Sequence, residues 1–101
     1  MPTYVLLSTL TAEGRRTVKE RPERIKQVNR EVEQFGAKVI SQYALLGPYD
    51  FITIIDAPDN ETIGRVSAEM SSRGTVQIAS LPAIPIDKFA NKLKSSGKKH
   101  K

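Results

Sequence analysis

The chain has 101 residues, 39% hydrophobic and 27% charged, a composition that suits one globular domain and argues against wholesale disorder or a membrane protein. It has no cysteine, which excludes disulfides, thiolate catalysis and thiolate metal sites and fits a cytoplasmic location. Of its 16 lysines and arginines, five lie from Lys92 onward among no acids; the remaining 11 face 11 acidic residues, so the +5 charge belongs to the tail and the body is formally neutral.

The N-terminus, Met1-Pro2-Thr3, carries no basic segment, and the apolar run after it is too short for a signal sequence or a membrane span. Residues 3–10 are rich in β-branched, aromatic and aliphatic side chains and predict a first strand. Residues 11–20 are polar; Thr11 can cap a helical turn, but Gly14 weakens it, so a basic loop or marginal helix is expected. Pro22 signals the first turn of a helix starting near Arg21, whose buried stripe is Ile25, Val28, Val32 and Phe35. Gly36 ends that helix, residues 37–46 predict a second strand, and a turn at Gly47-Pro48 leads into a third over Phe51–Asp56.

Asp59 then caps a second helix with Ile63, Val66 and Met70 on its buried side, and Gly74 closes it before a fourth strand over Thr75–Leu81. Pro82 and Pro85 are expected to end regular pairing, and Asp87–Leu93 to form one or two helical turns with Phe89 and Leu93 packed back. The domain is expected over residues 1–91, followed by a basic, disordered tail over 92–101. Two strand-helix-strand halves predict an α+β, ferredoxin-like βαββαβ fold with a four-stranded antiparallel sheet.

Two helices cover only one face of such a sheet, so the other should alternate with polar residues. It does not: Val5 and Leu7 oppose Tyr4, Leu6 and Leu10, and Ile52 and Ile54 oppose Phe51 and Ile55. In the second strand, Ile40, Ala44 and Leu46 are read against Val39, Tyr43 and Leu45. An apolar face of that extent predicts a homodimer or larger assembly with sheets packed face to face; the alternative is that the segment after Leu81 folds across it.

Candidate chemistry is sparse. Tyr49 and Asp50 follow the Gly47-Pro48 turn, where Asp50 can serve the turn itself or act as a base or ligand acceptor, with Tyr49 as a donor or stacking surface. Lys19 and Arg24 flank Pro22 within a basic stretch that also holds Glu13, Glu20 and Glu23; it is read either as an anion site or as a solvated, ion-paired segment. Tyr4 and Tyr43 are core phenols or ligand contacts. No metal site or cofactor is expected: the single histidine, His100, lies in the tail, and no glycine-rich phosphate loop is present. The lysine tail lacks interleaved aromatics, so nucleic acid is not an expected partner.

The run Leu46-Gly47-Pro48-Tyr49-Asp50-Phe51, followed by Asp56-Ala57-Pro58-Asp59, resembles the GYD domain family, named for a glycine and, one residue later, a tyrosine and an aspartate. Leu10 to Gly14, Pro22 with Arg24, and the Gly74–Leu81 segment extend the resemblance over residues 3 to 90. It implies the dimeric α/β-barrel form of the ferredoxin-like fold and leaves the activity open, because that architecture also hosts monooxygenases, isomerases, haem enzymes and amino-acid-sensing domains. The expectation is a homo-oligomeric module that binds or senses a small molecule, anions included, through Tyr49, Asp50, Lys19, Arg24, Tyr43 and Tyr4. Runners-up are a cofactor-independent monooxygenase or isomerase using Asp50 or Tyr49, and a protein of assembly alone.

Overall fold

The computed structural model describes residues 1–99. Its elements are β1 (Thr3–Leu10), α1 (Ala12–Glu20), α2 (Arg24–Gln34), β2 (Lys38–Ala44), β3 (Phe51–Asp56), α3 (Asn60–Ser71), β4 (Val76–Ala83) and α4 (Ile86–Lys99). The strands form one antiparallel sheet in the order β2-β3-β1-β4, the ferredoxin-like arrangement, with α1, α2 and α3 on one side. Tyr4, Leu6 and Ile55 from the sheet meet Val32, Ile63, Val66 and Met70 from the helices in the core, and Ile55 and Val66 are fully buried. Full burial of an aliphatic side chain is worth about 1.5–3 kcal/mol, so this helix-side layer holds the fold together.

The polar stretch after β1 is a nine-residue helix rather than a loop. Thr11 explains the difference. Its Oγ1 accepts from Gly14 N–H at 3.2 Å and donates to the Gly74 carbonyl at 2.8 Å, while its own N–H reaches the Thr75 carbonyl at 3.0 Å. The cap is thus docked onto the start of β4, and tertiary contact overrides a weak local propensity. Gly14 is what that docking requires: a Cβ there would lie 2.0 Å from the Thr75 carbonyl oxygen.

Helix α2 begins at Arg24, three residues later than the Pro22 signal suggested, because Arg21–Glu23 forms a preceding turn in which Arg24 N–H donates to the Arg21 carbonyl at 3.0 Å. Gly36 and Gly74 take the positive φ values of 95° and 74° expected at the chain reversals after α2 and α3.

Strand β4 continues through Pro82, which pairs with Tyr4, to Ala83, contrary to the expected break at that proline. β4 is an edge strand, and a proline there is tolerated when its missing N–H would face outward. The assignment of faces in β2 is also corrected. Val39 pairs with Ile55 but Ser41 with Ile54, so a β-bulge at Ile40 breaks the simple alternation. Val39, Gln42 and Ala44 consequently share the helix side, and Tyr43 lies on the open side beside Ile52.

Helix α4 runs to Lys99, beyond the expected one or two turns, and Phe89 and Leu93 are not packed back: they are 46% and 59% exposed. The helix leaves the sheet after Pro85 and projects from the body, giving the molecule extents of 60 × 29 × 19 Å. The described part of the segment after Leu81 therefore does not cover the open face, where Val5, Leu7, Ile52 and Ile54 remain half-buried and Leu81 and Tyr43 exposed. His100 and Lys101 lie outside the described residues.

Candidate functional site

The turn between β2 and β3 is built around two backbone requirements. Gly47 has φ of 132°, a conformation costly for any residue with a Cβ. Asp50 ties the turn to the end of β1: its Oδ2 accepts from Leu10 N–H at 2.7 Å, its N–H donates to the Ser8 carbonyl at 2.8 Å, and its carbonyl accepts from Leu45 N–H at 2.8 Å. The carboxylate satisfies a backbone donor where the β1 ladder ends, which is a structural use of the residue. Tyr49, beside it, is 38% exposed.

The other sequence candidates are dispersed. Tyr4 is buried, and its hydroxyl donates to Asn60 Oδ1 at 2.6 Å, bracing β1 against the start of α3. Tyr43 is 63% exposed on the open face of the sheet. Lys19 is exposed in the last turn of α1. Arg24 is half-buried at the start of α2, with Nη1 3.2 Å from Glu31 Oε1. These six residues do not converge on one place.

A cavity of about 290 Å³ lies on the helix side, between the sheet and α1, α2 and α3, and of the six candidates Arg24 alone borders it. Leu6, Val28, Val39, Ile55, Val66 and Ile78 make its walls apolar, and among the described residues no acidic side chain lines it. Its floor nevertheless carries two polar side chains that are more than nine-tenths buried, Ser8 and Thr53. Asn29 Nδ2 donates to Gln42 Oε1 at 2.7 Å, and Gln42 Nε2 donates to Thr53 Oγ1 at 2.9 Å, so a hydrogen-bonded chain runs from α2 across β2 to β3. The bulge at Ile40 turns Gln42 inward and makes that chain possible.

At the cavity mouth Arg24 and Arg73 share Glu31. Arg73 Nη2 donates to Glu31 Oε2, joining the turn after α3 to α2. That hydrogen bond, with the charges of both arginines, holds the Glu31 carboxyl below the usual carboxylate range, and Glu31 in turn raises the Arg73 guanidinium.

Sequence reasoning missed Asn29, Gln42, Arg73 and the two floor hydroxyls. Ser8 and Thr53 had a readable signal, since each interrupts an in-phase apolar series: Leu6-Ser8-Leu10 and Phe51-Thr53-Ile55. Gln42 was hidden by the bulge.

The model of the GYD domain family matches residues 4–93. The chain belongs to the GYD domain family. Within this GYD protein the namesake aspartate is Asp50, bound to Leu10 N–H. A Thermus thermophilus protein named glutamine synthetase and cystathionine beta-lyase binding protein is 47% identical over 95 residues, covering 93% of this chain and 100% of its own. Two solved structures share the fold. The crystal structure of FFRP-DM1 superposes with a TM-score of 0.58 at 17% identity, over 83% of this chain and 100% of its own. That of TTHA0845, also from Thermus thermophilus, gives 0.53 at 21% identity, over 84% and 95%.

Proposed function

We propose that this GYD protein is a non-enzymatic, self-associating binding protein that docks onto metabolic enzymes of the kind named for its Thermus thermophilus relative. The observation that carries this reading is end-to-end similarity to that relative, 47% identity across the whole of it. Two unpartnered apolar surfaces support it. One is the open sheet face, with Val5, Leu7, Ile52 and Ile54 at its centre and Tyr43 and Leu81 at its margins. A second copy is its natural occupant: several hundred Å² hidden per subunit at about 25 cal/mol per Å² is on the order of 10 kcal/mol before association costs. The other is the stripe of Ile86, Phe89 and Leu93 along the projecting α4, exposed by 75%, 46% and 59% and spaced to lie along one side of the helix, which we assign to the enzyme partner.

The test is to mix the purified protein with glutamine synthetase and with cystathionine β-lyase of its own source at micromolar concentration and to weigh the products by light scattering. A complex with either enzyme, lost on Phe89→Glu while self-association persists, is the expected result. No complex with either enzyme overturns the docking reading. A free protein of only 11.2 kDa overturns self-association.

A second role, retention of a small molecule, is favoured by one observation: the helix-side cavity combines apolar walls with the buried Ser8 and Thr53 hydroxyls, a composition suited to a specific ligand rather than to a packing fault.

A further inference from the structure

The mouth of the helix-side cavity differs in kind from its walls. Arg24 and Arg73 both border it, although one opens α2 and the other follows α3. Their guanidinium groups converge on a single carboxylate, Glu31, which is not part of the lining and is about 30% exposed in its side chain. Arg24 also donates to Gln27 Oε1 at 3.4 Å, and the charge of Glu69 reaches Arg73. A guanidinium has five N–H donors, so these partners use a minority of the donors the two arginines present. Convergence on one carboxylate shows that the pair is spaced to hold one.

We propose that the cavity takes an amphipathic monocarboxylate, its apolar body against Leu6, Val28, Val39 and Ile78 and its carboxylate across Arg24 and Arg73 in the place that Glu31 holds. The inference rests on the cavity's being a small-molecule site and adds the class of ligand. The lining selects that class by what it lacks as well as by what it has. The interior polar groups, Ser8, Thr53, Gln42 and Asn29, are neutral, so a second anionic group would be buried without a cation. Among the described residues no acid lines the cavity, so the ammonium of an amino acid would be buried without a counter-ion. One carboxylate at the mouth meets bidentate donors beside low-dielectric walls, the setting in which charge-assisted hydrogen bonds are strong. Glu31 then acts as an internal competitor that keeps the arginines in position while the site is empty.

The competitor gives the test its sign. Octanoate and its neutral counterpart octanamide are titrated calorimetrically into the full-length protein, into Glu31→Gln and into the double variant Arg24→Gln/Arg73→Gln, with circular dichroism melts to establish folding. Octanoate is expected to bind the parent protein, to bind Glu31→Gln about three- to tenfold more tightly, and to bind the double variant at least about tenfold more weakly. Octanamide affinity is expected to be unchanged throughout. If the double variant does not fold, Glu31→Gln alone decides, because mere loss of a structural ion pair would not tighten octanoate binding. Octanoate and octanamide binding equally in all three proteins overturns the carboxylate clamp and leaves the cavity as a neutral apolar site. No binding of either compound to the parent protein overturns both the clamp and the ligand-binding role of the cavity.

Discussion

Asp50 and Gly14 show how much of this fold rests on backbone groups that no hydrophobic pattern reports. Replacing Asp50 by Ala leaves Leu10 N–H without its acceptor at 2.7 Å, and we expect a loss of about 1.5–3 kcal/mol in urea-unfolding stability. Asn at the same position keeps a side-chain acceptor and should cost less. If Ala and Asn prove equal to the parent protein, the hydrogen bond is not what holds the turn. Gly14 is a case of two opposing terms. Alanine in a helix is favoured over glycine by about 1 kcal/mol, yet its Cβ would sit 2.0 Å from the Thr75 carbonyl oxygen. The clash is with backbone and cannot be relieved by rotating a side chain, so Gly14→Ala should destabilise by about 1–3 kcal/mol net, read as a lower midpoint in the same titration. A stabilised Gly14→Ala variant would mean that α1 can move off β4.

At the level of elements, carboxylates bind the helices to their surroundings. Asp59 caps α3, its Oδ1 accepting from Thr62 N–H at 2.8 Å and Thr62 Oγ1 at 2.7 Å, and those bonds hold its carboxyl below the ordinary 3.8. Glu31, held down first by its hydrogen bond from Arg73 and then by the charges of Arg73 and Arg24, joins α2 to the end of α3. A depressed folded-state pKa stabilises at pH values above the unfolded one, and the stabilisation is lost as pH falls through the folded value. Stability should therefore decline below about pH 4.5, the ordinary value for Glu31, and Glu31→Gln should flatten the upper part of that decline. An unchanged pH profile in Glu31→Gln would remove the Arg24–Glu31–Arg73 bracket from the stability of the fold.

The element order was legible because Ile25, Val28 and Val32, and Ile63, Val66 and Met70, repeat at helical spacing, while Gly36 and Gly74 stand where the chain must reverse. Helix α1 was not, since the cap at Thr11 depends on carbonyls more than 60 residues away, Gly74 among them. The site was harder still. Arg73 is an ordinary loop arginine in sequence, and only the fold, with α2 packed on β2 and α3 on β4 on one side of the sheet, brings it to Glu31, which Arg24 shares.

For the molecule as a whole, two kinds of surface are divided between the faces of one sheet: the helix side holds the cavity, while on the open side and along the Ile86-Phe89-Leu93 stripe of α4 apolar side chains stay partly or largely exposed among the described residues. Among the described residues, helix α4 supplies none to the buried core. Ending the chain after Pro85 should therefore lower the melting temperature by less than about 4 °C, less than the shift typical of losing 1 kcal/mol, and the enzyme complex proposed for α4 should not form. A truncated protein that fails to fold would show α4 to be part of the domain.

The bulge at Ile40 has a bearing on how chains of this kind can vary in length. β2 holds one residue more than its neighbour requires between Val39 and Ser41, and Ile40 is 50% exposed. A chain shortened by that single residue could absorb the gap by straightening, with Gln42 still facing the helices and Tyr43 still facing away. Most one-residue deletions in a strand exchange inside for outside; here the strand has slack, and the sheet can lose a link without turning over.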